Sequence, residues 1–219
     1  MSEIRDLQTL RAEYERRSSI INSRIEEFRD RYKLLDDSAL FDELAYTLLA
    51  AGSSAVSALR GESCIKGIWN EKPSTDCQII SSMLKTGGCR FHTIRGKYIY
   101  LALTHFKPIG LKTTLDKLLT NDKFELRDYL VRNIKGLGYK ASSHFSRNIG
   151  IFGFAVLDKH ILNGMKELGV ISDSERPPSN KPNYLRLEKV FYELAENVGL
   201  SVEQLDFTLW SAKTGVVLK

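Results

Sequence analysis

The sequence is poor in several things. It has three cysteines, five prolines and two tryptophans, and no apolar run approaches the ~20 residues that a membrane-spanning helix needs. The missing run excludes a bilayer-spanning helix. The cysteines, Cys64, Cys77 and Cys89, are separated by twelve and then eleven residues. Those gaps fit neither a zinc site nor a close iron–sulfur ligand set. An odd number of cysteines without a secretion signal predicts free thiols in a reducing compartment. The first residues, MSEIRDLQTL, hold no apolar signal core and no Arg-rich, acid-poor transit segment. The expectation is a protein that stays where it is made, in the cytoplasm.

Hydrophobic residues make up 42% of the 219 positions, enough for one domain with a proper core or two small lobes sharing one. Net charge is +5, which favours a polyanionic partner. Many basic proteins bind no nucleic acid, so charge alone decides little.

Helical periodicity dominates. From residue 4 to 34 the apolar positions Ile4, Leu7, Leu10, Tyr14, Ile21, Ile25, Phe28 and Tyr32 recur at steps of three and four. The opposite face, rich in Arg, Glu and Asp, reads as solvated. A buried helix is predicted over 38–51, capped by Ser38, and a short one over 55–60. Another runs over 76–86, with Asp76 near its start and Gly87-Gly88 at its end. Residues 91–106 read as helix, with a strand possible around Tyr98–Tyr100, closed by Pro108 and Gly110. Further helices are predicted over 124–134, 140–149, 158–168, 184–198 and 202–212, with a polar, proline-bearing loop over 172–183. The fold class is all-α, as two helical lobes with the glycine turn between them.

That turn, NIKGLGYKASSHF (133–145), is the most informative segment. Gly136 and Gly138 lie between two helical runs, as in a helix-hairpin-helix spanning about 124–149. Glycine allows a sharp turn and a close backbone approach. Backbone N–H groups there and at the next helix start can hold a phosphate, and Lys135 adds charge. An ordinary helix corner would show the same pair of glycines. Lys140 opens the second helix at the positive end of its dipole, which disfavours its protonated form and makes a nucleophile of it. A lysine that only binds phosphate fits the turn as well. Asp158 follows an apolar stretch, 151–157, and starts a helix. Helix capping is its plain role, yet one oxygen can cap while the other meets a substrate.

Gly-Leu-Gly-Tyr-Lys followed by Val-Leu-Asp-Lys-His resembles the helix-hairpin-helix, Gly/Pro-Asp superfamily of base-excision DNA glycosylases. ELAYTLLAAGSSA, CRFHTIRGKYIYLA, HFSRNIG and LDFTLWSAKTGVVLK sharpen the resemblance to the archaeal-type 8-oxoguanine DNA glycosylase/lyase family. The resemblance covers most of the chain, so residues 1–219 are expected to form one glycosylase unit, its Asp-bearing loop and helix spanning 150–168. It implies an all-helical fold with the active-site cleft between the lobes. It also implies Lys140 as Schiff-base nucleophile and Asp158 as the assisting carboxylate. Phe91, Trp210 and Lys219 would recognise the oxidised base.

On this reading Lys135, Gly136, Gly138 and His160 meet the DNA backbone. The partner is double-stranded DNA containing oxidised guanine, the enzyme is a monomer associated with the nucleoid of a prokaryote, and no metal or organic cofactor takes part. Two departures stand out. Family members have Thr-Ala-Asn where this chain has Ala50-Ala51-Gly52, which leaves open the residue that fills the gap of an extruded base. Lys135 stands where many relatives have proline. The competing readings are a related glycosylase for another lesion and a helix-hairpin-helix module that binds DNA without chemistry.

Overall fold

A computed structural model describes residues 4–71, 76–120 and 122–217, and every regular element among them is helical. The order is α1 (Leu7–Arg29), α2 (Arg31–Leu34), α3 (Asp37–Ala50), α4 (Ala55–Ile65), a 3-10 turn (Ile68–Asn70), α5 (Cys77–Thr86), α6 (His92–Phe106), α7 (Leu111–Leu119), α8 (Lys123–Asn133), α9 (Tyr139–Asn148), α10 (Lys159–Glu167), α11 (Lys181–Val198) and α12 (Val202–Thr214). The alternative of a strand at Tyr98–Tyr100 is replaced by the continuous helix α6. The chain divides into two compact units, residues 31–149 on one side and residues 1–30 with 150–219 on the other.

The continuous unit is built around α3, which packs against α4, α6, α7 and α9. Leu40, Phe41, Leu44, Ala45, Tyr46, Leu48 and Leu49 are all buried on it, so apolar side chains face outward on more than one side, as a central helix requires. Asp36 rather than Ser38 caps α3, accepting from the Ala39 amide. Ser38 Oγ instead accepts from Asn70 Nδ2. Helix α7 was not expected from the sequence. Its cap, Gly110, supplies no side chain; Asp37 serves in its place, Oδ1 accepting from the Lys112 amide at 2.6 Å.

The discontinuous unit joins α1 to α10, α11 and α12. Ile21, Ile25 and Phe28 of α1 pack with Phe207 and Val217. The periodic run over 4–34 breaks at Asp30, which ends α1. Part of the polar face of α1 is structural rather than solvated. Arg11 donates to the carbonyl of Val198, the last residue of α11, at 2.9 Å, and Arg17 to that of Ser211 at 3.0 Å. Cations at helix C-terminal carbonyls meet the negative end of the dipole. Gly150 starts the return into this unit with φ 87°, and a Cβ there would run into the carbonyl oxygens of Phe28 and Arg29. No other residue type meets both demands.

Candidate active site and DNA-binding hairpin

The glycine turn does not join the two units as expected: residues 134–138 lie inside the continuous unit, flanked by α8 and α9, and the chain passes between units at Asp30–Arg31 and Ile149–Gly150 instead. The Ile134 amide donates to Leu130 O at 2.9 Å, and the Leu137 amide to Ile134 O at 3.1 Å. Gly136 has φ 94°, and a Cβ there would strike the Tyr98 ring and approach Leu48 to 3.2 Å. The turn is therefore seated directly on α6 and α3. Gly138 differs: its backbone is extended and nothing lies within 4 Å of where a Cβ would be. It caps α9 without a side-chain hydrogen bond. The first N–H groups of α9 thus face open space above a bare residue, an arrangement suited to an anion. Lys135 and Arg132 are exposed beside it, in a groove lined by residues 131–138.

The hairpin is held closed by polar ties. Tyr139 donates to Asp128 Oδ1 at 2.7 Å, and the buried Arg127 to Ser143 Oγ at 3.2 Å. Residues 141–149 are buried without exception. At the far end of α9, the buried Glu43 carboxylate accepts from Asn148 Nδ2 at 2.8 Å and from Arg31 at 3.1 Å. Arg31 also donates to Asn148 O, and Arg147 to Asn148 Oδ1. A satisfied buried network of this kind fixes a helix in one register. His144 packs edge-on to Tyr46, with centroids 5.9 Å apart. Burial, then the neighbouring Glu43 carboxylate, pushes the Tyr46 phenol up to about 12, so that ring stays neutral. Lys140, half-buried in the first turn of α9, stands at the mouth of this rigid helix.

In the discontinuous unit, residues 151–157 form no regular element; Gly153 turns the backbone with φ 89°, and the Asp158 amide closes a tight turn onto Val156 O at 2.8 Å. Their backbone groups are met by side chains. The Gly153 amide donates to Glu203 at 2.7 Å, the Ala155 amide to Glu188 at 3.2 Å, and Tyr184 Oη donates to Ala155 O at 2.7 Å. Tyr192 donates to Gly153 O at 3.0 Å. Buried peptide groups need such partners, and they deliver Asp158 to the start of α10. Asp158 Oδ1 accepts from the amides of His160 and Ile161 at 2.8 and 2.9 Å. Its Oδ2 accepts no hydrogen bond among the described residues. His160 stands edge-on to Trp210, with ring centroids 6.4 Å apart and planes at 80°.

The candidate residues therefore fall into two groups. Lys135, Gly136, Gly138 and Lys140 share the hairpin, and Phe91 lies on the same unit at the start of α6. Asp158, His160 and Trp210 are brought together on the other unit. Lys219 lies outside the described residues. Glu188, Glu203 and Tyr184, which position Asp158, escaped the sequence reading. Each sits on an amphipathic helix at a place that looks like an ordinary charged or core position, and no local signal marks them.

A family model described as 8-oxoguanine DNA glycosylase matches residues 21–200. Curated proteins with the same reach include an "8-oxoguanine DNA glycosylase/AP lyase" of Thermoplasma volcanium, 36% identical over 92% of this chain and 93% of that protein. The protein of that name from Methanocaldococcus jannaschii is 35% identical over 91% of this chain and 92% of that protein. Among solved structures, the M. jannaschii 8-oxoguanine glycosylase/lyase in complex with a 15mer DNA containing 8-oxoguanine superposes with a TM-score of 0.83 at 31% identity, covering 96% of this chain and 99% of that one. The 8-oxoguanine DNA glycosylase of Thermotoga maritima gives a TM-score of 0.84 at 31% identity, covering 97% and 98%.

Proposed function

The chain belongs to the 8-oxoguanine DNA glycosylase family, and from that premise we propose that it excises 8-oxoguanine from double-stranded DNA and nicks the strand through a Schiff base on Lys140. The observation that carries the assignment of the nucleophile is local. Lys140 occupies the first turn of a helix whose N-terminus has no side-chain cap, directly after a glycine hairpin. The helix dipole there favours an uncharged amine, which is the reactive form.

The chemistry follows in order. The damaged nucleotide must leave the stack before its C1′ can be reached. The Lys140 amine forms a bond to C1′ as the glycosidic C–N bond breaks, and the base departs with that electron pair and takes up a proton. Positive charge that develops on the sugar is stabilised by Asp158, whose Oδ2 is not engaged in capping. Loss of a proton from the lysine nitrogen and ring opening give a protonated imine. The imine acidifies the C2′ proton, and its removal expels the 3′ phosphate by β-elimination. Water then releases the lysine. This sequence draws on no metal or organic cofactor.

Trp210, backed by His160, offers an aromatic face to the extruded base. Lys219 contributes to base recognition, where an ammonium addresses an acceptor or an aromatic face. The Gly136–Gly138 turn, Lys135 and His160 hold backbone phosphates, and the protein acts as a monomer. Incubation with an 8-oxoguanine:cytosine duplex under borohydride tests the reading. The wild-type protein is expected to nick the strand and become covalently trapped. Binding without trapping would reduce the protein to a DNA-binding module, and trapping only with a different lesion would move it to a sister specificity.

A further inference from the structure

Trp210, the aromatic face offered to the extruded base, is half-buried near the end of α12, and α12 is packed from two sides. On one side is α10, the helix that Asp158 starts. Its Gly164 admits Leu209 of α12 so closely that a Cβ there would lie 2.9 Å from the Leu209 side chain. On the other side is α1. Phe28 lies against Phe207 with ring centroids 6.3 Å apart, and Ile21, Ile25 and Val217 complete that contact. Apolar burial of this kind holds two helices together but is non-directional.

Direction comes from a charge cluster. Glu13, on α1, is a carboxylate only 6% exposed. Both of its oxygens accept from Arg16, and Arg17 Nε pairs with it at 2.7 Å. Arg17 then reaches with Nη1 to the carbonyl of Ser211, the residue after Trp210. The same carbonyl accepts from the Gly215 amide at 2.8 Å, where α12 ends. Thr214 Oγ1 donates to Trp210 O at 3.0 Å. A buried ion pair adds little net stability, because desolvation offsets its attraction; its best-attested use is to fix register. The apolar contact alone would keep α1 on α12. One planar guanidinium that meets Glu13 on one edge and Ser211 O on another fixes where the last turn of α12 stands against α1.

We propose that Arg17, held by Glu13, is a positioning residue for base recognition: it sets the height and rotation of the last turn of α12, and with them the place of the Trp210 ring. This rests on the glycosylase reading above and deepens it. Arg17 touches no substrate and acts through the Ser211 carbonyl. Its loss is therefore felt where a base has to be held, and not where the base is already gone.

The test compares two single-turnover rates: release of 8-oxoguanine from an 8-oxoguanine:cytosine duplex, and nicking of an abasic site in the same sequence, which uses the lysine chemistry without a base. Arg17→Met keeps most of the apolar stem and is expected to lower base release about tenfold, within the worth of a base–aromatic stack, with nicking unchanged. Arg17→Lys retains the charge but replaces the fork with a single point donor. It should show the same selective loss to a smaller degree, and it carries the test if Arg17→Met does not fold. In a Trp210→Ala background, Arg17→Met should cost little beyond Trp210→Ala alone, because both act at one ring. Equal losses in the two rates, or no loss from either variant, would make the cluster a fastening and nothing more. A full additional loss in the Trp210→Ala background would route Arg17 through some other group. Each of these outcomes overturns the proposal. A wild-type protein that releases no 8-oxoguanine would overturn the glycosylase reading instead.

Discussion

Helices α9 and α10 carry the two residues assigned to the chemistry, and they begin in opposite ways. α9 starts at Gly138, whose missing side chain leaves the first amides of the helix facing open space. α10 starts at Asp158, whose carboxylate fills that place itself. A bare helix start is a socket for somebody else's anion, and a capped one is a mount for its own. The same pair of helix physics thus provides, on one unit, a place for phosphate next to a lysine, and on the other a fixed acid with one oxygen to spare.

The largest expected effect comes from the lysine. Lys140→Gln should abolish borohydride trapping and strand nicking while DNA binding, measured by fluorescence anisotropy, persists. Retained trapping would remove Lys140 from the mechanism. Next comes Asp158, where two variants separate capping from chemistry. Asp158→Asn and Asp158→Ala should both lower base release by roughly 100- to 1000-fold, the usual loss of a charge-stabilising group. Asparagine also caps well, so Asp158→Asn should melt near wild type, whereas Asp158→Ala should lose about 1 kcal/mol of stability. If the two variants lose activity only in proportion to stability, the carboxylate is merely a cap.

The glycines sharpen the contrast on the hairpin side. Gly136→Ala places a methyl group against Tyr98 at φ 94°, and should cost about 1–3 kcal/mol in thermal or denaturant unfolding. Gly138→Ala meets nothing and should unfold near wild type. The smallest effect is expected from Lys135→Ala. It should weaken binding to all DNA sequences alike and lower the slope of log affinity against log salt by about one. A loss confined to lesion-bearing DNA would instead place Lys135 near the base.

Both helix starts were legible in the sequence because each is written within a few adjacent residues: Gly136, Gly138 and Lys140 in one stretch, Asp158 after an apolar run in the other. What escaped was written at a distance. Helix α7 is capped by Asp37, 75 positions from the amide it receives, so the local signals around Pro108 and Gly110 pointed only to a stop. The start of α3 went to Asp36 because Ser38 was engaged by Asn70. The irregular segment before Asp158 donates its amides to Glu188 and Glu203, which in sequence are two acids among many. Arg95, which fastens the 51–54 loop, reads as one more basic residue until its partners are known. Lys219 falls outside the described residues, and its role stays with the resemblance that suggested it.

The return of the chain at Gly150 sets an order of assembly. Residues 31–149 are continuous and can complete their contacts as soon as they leave the ribosome, hairpin and lysine included. The first helix, α1, must wait for Phe207 and Val217, translated nearly 200 residues later, before its apolar side is covered. A growing polypeptide therefore holds the hairpin and Lys140 in place before Glu203 arrives to fix the segment that leads to Asp158.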